Sequence, residues 1–257
     1  MFCRIGTGTY GLIVSIALIF CVALVICLPS LAEVGQKAAK TVVSGSSKYT
    51  LFINCNGNEK PKRVLSPVAL SEGDEWSAYV EVNIQNDCLY TTRLWVAKGN
   101  RPYRLVYLIP PVRENAENGM EILGWARNSR MLLVQIEQWQ YGSDAADLQR
   151  VLAIDAGTGV VYEPHLEALL QDRKDKRCAF RVTDAGFSSD KNVVMLVRAK
   201  FFTPLEIDET EADVPAAMRC GNTEETWSFN YATGEIKPVG SAEPLHIFRK
   251  FMPNQAK

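Results

Sequence analysis

The chain has 257 residues, 47% of them apolar and 22% charged, with 28 basic and 29 acidic side chains. Basic residues occur singly among acidic ones, which excludes electrostatic steering to nucleic acid or to an anionic lipid surface. The length supports one sizeable core, or two domains.

Residues 1–32 read as a secretory signal. Arg4 is the only charge among them, an apolar run of 17 residues covers 11–27, and Leu28-Pro-Ser-Leu-Ala32 follows. A basic start, an apolar middle and small residues at Ser30 and Ala32 are what a signal peptidase reads. An uncleaved anchor is the rival, but 17 residues is the lower limit for a spanning helix. Cleavage leaves no stable membrane span, and the expected location is periplasmic or secreted. The Gly6-Thr-Gly-Thr-Tyr-Gly11 run lacks the strand before it and the Lys-Ser/Thr pair after it that a phosphate loop needs.

Four of the seven cysteines lie beyond the signal: Cys55, Cys88, Cys178 and Cys220. Four cysteines in an exported chain most simply form two disulfides. Zinc would want a Cys-x-x-Cys pair or close histidines, and the two histidines, His165 and His246, are far apart.

After a segment 33–64 with one clear strand at Tyr49–Asn54, three stretches line up. They are Ser66–Val82, Glu121–Glu137 and Thr183–Arg198. In each, a short strand ends on a large apolar residue: Leu70, Trp125 or Phe187. A polar turn follows, at Glu72-Gly-Asp, Arg127-Asn-Ser or Ser188-Ser-Asp, and then an apolar strand. The second halves recur too. Strands Thr92–Ala97, Gln149–Asp155 and Thr226–Tyr231 turn through Lys98-Gly-Asn-Arg, Ala156-Gly-Thr-Gly and Ala232-Thr-Gly-Glu. They lead into Tyr103–Ile109, Val160–Tyr162 and Ile236–Val239. Glycine supplies the backbone freedom of these hairpins.

Each unit therefore reads as a four-stranded antiparallel meander. Together these predict an all-β fold of repeats at about 65–115, 119–175 and 178–240, with a tail at 241–257. The grammar resembles the blades of bacterial TolB-like β-propellers, which implies a small or partial propeller. A β-sandwich of hairpins is the alternative. Closed propellers have four to eight blades, so Tyr49–Asn54 is expected to pair with strands around His246–Phe251 in a partial fourth. One helix is expected at Pro164–Arg173, with Leu166, Leu169 and Leu170 on its apolar face.

Cys88 and Cys220 each stand seven residues before a tryptophan, Trp95 and Trp227, at equivalent points of units one and three. The expected pairs are Cys55–Cys88 and Cys178–Cys220.

No Gly-x-Ser-x-Gly elbow is present, and neither histidine has an evident orienting partner. The insertion within unit three carries Glu206, Asp208, Glu209, Glu211 and Asp213 in eight residues. Long insertions on a repeat scaffold often bind, so these acids are the leading protein-docking candidates. Calcium is the alternative use of such oxygens, although the spacing is not that of an EF-hand. Trp139 and Tyr141, near a strand end, are candidates for sugar or peptide contact. The preferred reading is an exported, non-enzymatic module that engages a protein, with an inhibitor- or immunity-type role as a variant. The rival is a hydrolase of cell-envelope polysaccharide or peptide.

Overall fold

The computed structural model describes residues 42–44, 61–85, 89–111, 116–127, 129–140, 148–173, 178–188, 193–205, 209–210, 212–221, 223–240 and 243–254. All of them fall within one compact unit, Ala39–Lys257.

The strands are β1 Val42–Ser44, β2 Lys62–Leu65, β3 Val68–Leu70, β4 Trp76–Ile84, β5 Tyr90–Lys98 and β6 Arg104–Ile109. They continue as β7 Ala116–Trp125, β8 Met131–Gln140, β9 Leu148–Asp155, β10 Val161–Tyr162, β11 Ala179–Phe187 and β12 Val194–Phe202. The last are β13 Glu224–Asn230, β14 Ile236–Val239, β15 His246–Phe248 and β16 Phe251–Met252. Three antiparallel meanders result: β3-β4-β5-β6, β7-β8-β9-β10 and β11-β12-β13-β14. The fold is all-β and partial-propeller-like. Each meander is called a blade below.

The pattern of each strand follows from how many of its faces are covered. In β4, Ala78, Val80, Val82 and Ile84 alternate with Tyr79, Glu81 and Asn83, and the first set enters the core between blades one and two. Alternation marks a strand with one apolar side. Blade two is packed on both faces. Its β8 therefore opens with the unbroken run Met131-Leu-Leu-Val, where Leu132 and Val134 face blade one while Met131 and Leu133 face blade three. A bulge at Leu123 in β7 switches the alternation. It sends Leu123 into the second core and lets Trp125, fully buried, enter the first.

The C-terminal strands do something the sequence did not suggest. Their expected partner, Tyr49–Asn54, lies outside the described residues. They run as a strap across the inner strands of all three blades. His246 of β15 pairs with Phe187, Phe248 pairs with Trp125, and Lys250 accepts the Leu70 N–H at 2.8 Å. β16 then pairs with β3 (Phe251↔Ala69, Met252↔Val68), and β1 adds to β15 in parallel. Successive strap residues serve different cores, because neighbouring side chains in a strand point to opposite faces. Ile247 fills the core between blades two and three, and Phe248 the core between one and two. Two glycines make the approach possible. A Cβ on Gly186 would lie 2.8 Å from Leu245 Cβ, and one on Gly124 would lie 2.5 Å from the Phe248 carbonyl oxygen. Arg249 locks the strap: its Nε donates to the Leu123 carbonyl at 2.7 Å, and a terminal nitrogen pairs with Asp184 at 3.3 Å.

The expected helix is built as 3₁₀ turns over Leu166–Arg173. With three residues per turn, Leu166 and Leu169 fall in one row, and both are buried in the second core. The Arg173 guanidinium lies 3.8 Å from the Phe201 ring centre and pairs with Glu225.

Candidate functional site

A meander places alternate connections at opposite ends of a blade. The β4–β5, β8–β9 and β12–β13 connections share one end, and the tight turns share the end crossed by the strap. Each end carries one candidate site.

The first is the β12–β13 insertion, 203–223. Its base is closed by the Cys178–Cys220 disulfide, with Cα atoms 5.7 Å apart, across 42 residues of sequence. The Cys220 N–H donates to Thr203 Oγ1 at 3.0 Å. Arg219 holds the loop from within, donating to the Val214 carbonyl at 2.9 Å and the Ala212 carbonyl at 3.1 Å. Asp213 accepts from the Thr210 N–H at 2.6 Å and from its hydroxyl at 2.8 Å. Those two bonds hold the exposed Asp213 carboxyl below its ordinary pKa. Val214 is tucked in, while Leu205 and Met218 stay 43% exposed. Of the five candidate acids, Asp213 is exposed and Glu209 half-buried, and Glu206, Asp208 and Glu211 lie outside the described residues. Among the described residues no group of three or more His, Cys, Asp or Glu converges on one point.

The aromatic candidates divide. Tyr141 lies outside the described residues. Trp139 is 6% exposed on β8, so its indole serves packing and is not offered as a surface ring. Cys55 and Cys88 also lie outside the described residues.

The second site is one that the reading of motifs missed. A cleft of about 540 Å³ opens between blades one and two, lined by Ser71, Glu72, Glu75, Trp76, Lys98, Ser129 and Arg130. These residues come from three turns: β3–β4, β5–β6 and β7–β8. The β3–β4 turn is clipped tightly. The Ser71 N–H donates to the Trp76 carbonyl at 2.9 Å, Ser71 Oγ accepts the Trp76 N–H at 2.9 Å, and Lys250 of the strap binds Asp74 at 2.7 Å. Gly73 (φ +78°) and Asp74 (φ +58°) make the reversal. Lys98 bonds Glu75 at 2.9 Å and lies 5.4 Å from the Trp76 ring centre. Arg130 Nε donates to Asp155 at 2.8 Å. Burial pushes the Asp155 carboxyl up. The N–H groups of Thr158 and Gly157 and the Arg130 guanidinium outweigh it and hold the pKa below its ordinary value. Each turn was legible on its own. Their convergence depends on blades stacking in register around the strap.

Among the described residues no helix is long and apolar enough to cross a membrane. No family model and no curated protein matches the chain. Two solved structures show a distant likeness. A point mutant of the Synechocystis apocarotenoid oxygenase aligns over 70% of this chain and 38% of its own, at 8% identity and TM-score 0.34. An ACO/RPE65 chimera aligns over 70% of this chain and 37% of its own, at 7% identity and TM-score 0.34. The chain thus spans under two-fifths of either, and at that score the likeness carries no argument.

Proposed function

We propose that the chain is an exported, non-enzymatic interaction module of the periplasm or extracellular space that engages another protein through the β12–β13 insertion. The observation that carries this reading is the insertion's preorganisation. A disulfide and three side chains (Thr203, Asp213 and Arg219) order the described part of a loop whose exposed residues include Asp213 and two apolar side chains, Leu205 and Met218. Ordering a loop before binding lowers the entropy lost on association. Exposed apolar side chains fit the make-up of a protein interface. A disulfide in the chain supports an oxidising compartment.

The test is capture from the envelope extract of the source cell with the oxidised chain as bait, followed by mass spectrometry. A single stoichiometric protein is expected. A bait with Glu206, Asp208, Glu209, Glu211 and Asp213 replaced by Ser is expected to lose that protein while keeping its unfolding midpoint. Equal capture by both baits contradicts the loop's role.

A further inference from the structure

We propose that the cleft between blades one and two is a saccharide-binding site for a neutral, hydroxyl-rich ligand. This site stands at the opposite end of the blades from the insertion and does not rest on the insertion's role.

Charge at the cleft narrows the ligand class. Each base at the cleft already has its acid: Lys98 with Glu75, Arg130 with Asp155. An anionic ligand would meet Glu72 and Glu75, and a cationic one would meet Lys98 and Arg130. A hydroxyl escapes this conflict, because it donates and accepts at once. The walls supply both partners it needs. Carboxylates of Glu72 and Glu75 accept. Ser129 Oγ accepts the Met131 N–H at 3.2 Å and keeps its proton to donate. Arg130 uses Nε on Asp155, and its terminal nitrogens remain as donors. The half-buried Trp76 lines the cleft beside Lys98 and adds apolar contact for the C–H groups of a sugar.

The volume lies within the range of small-molecule sites. The frame is also rigid, since the turns that carry these residues are pinned. Gly99 N–H donates to the Glu75 carbonyl at 2.8 Å, Ala156 N–H to the Arg130 carbonyl at 2.9 Å, and Lys250 binds Asp74.

The experiment applies the intact, oxidised chain to an array of neutral cello-, chito-, malto- and xylo-oligosaccharides beside sulfated and carboxylated glycans. Retention on at least one neutral series is expected, and it should change little between about 0.05 and 0.5 M salt. Trp76→Ala and Arg130→Gln are each expected to weaken it about tenfold or more. Arg130 is half-exposed, so Arg130→Gln carries the test should Trp76→Ala fail to fold. The proposal is overturned if no neutral glycan is retained, if only anionic glycans are retained and salt releases them, or if folded Arg130→Gln binds as tightly as the native chain.

Discussion

Phe187 and Trp125 meet the same strap two positions apart: Phe187 pairs with His246, and Trp125 with Phe248. Leu70 continues the series through its bond to Lys250. A strand rises about 3.3 Å per residue. The inner strands of the three blades are therefore spaced about 7 Å apart along the strap where they meet it. One short segment thus sets the spacing of three units that lie 55 and 62 residues apart in sequence.

The glycines that face the strap, Gly124 of β7 and Gly186 of β11, give the first prediction. Gly186→Ala forces a methyl against Leu245 and is expected to cost about 1–3 kcal/mol. Gly124→Ala is expected to cost more, because it adds a clash with the Phe248 carbonyl to a φ of +143°. Gly234, at φ +71° in an open turn, is the control, with a cost of about 1 kcal/mol. Urea unfolding midpoints measure all three. A Gly124→Ala chain as stable as the Gly234→Ala chain would contradict the close approach.

Arg249 gives the second. It is 8% exposed and spans the Leu123 carbonyl and Asp184. Arg249→Met leaves that carbonyl and carboxylate without the guanidinium, at a cost of about 2–4 kcal/mol. Arg249→Lys is not expected to rescue it, since one ammonium does not reproduce the planar fork. Full stability of the lysine variant in a thermal melt would count against this.

How much of this was legible beforehand divides along sequence distance. Hairpins announce themselves locally, and Ile236–Val239 and Tyr103–Ile109 were legible from turn glycines and alternation almost to the residue. Trp139 is buried on β8, which its place at a strand end beside a polar loop does not announce. The strap was invisible because its partners are Phe187, Trp125 and Leu70, and nothing local in His-Ile-Phe-Arg-Lys names them. The cleft was hidden for the same reason: Ser71 and Arg130 are brought together only by blade stacking.

Acid stability gives the third prediction. Glu81 is buried, and burial pushes its carboxyl up. Hydrogen bonds from Arg63 and Asn83 and the charges of Arg63 and Arg93 outweigh this and leave the pKa below its ordinary 4.5. A depressed folded pKa means that the ionised carboxylate stabilises the fold above about pH 4.5, and this contribution fades as pH falls through the folded value. Glu81→Gln is expected to cost about 1–2 kcal/mol at neutral pH and to flatten the stability curve below the ordinary value. Parallel pH curves for both chains would show that the network contributes nothing.

The disulfide gives the fourth. By loop entropy, opening a 42-residue loop removes about 4 kcal/mol. Cys178→Ser with Cys220→Ser is also expected to raise amide hydrogen exchange at 209–221 while the β7–β8 amides stay protected. Unchanged exchange in the insertion would mean that Arg219 and Asp213 suffice to order it.

The strap joins all three blades, and the direct measurement of its role is a chain ending at Gly240, compared with the full chain in urea. The predicted result is loss of the single cooperative transition, with a synthetic 241–257 peptide restoring it in trans. A truncated chain that unfolds cooperatively at the native midpoint without the peptide would contradict the claim that the strap holds the three blades together.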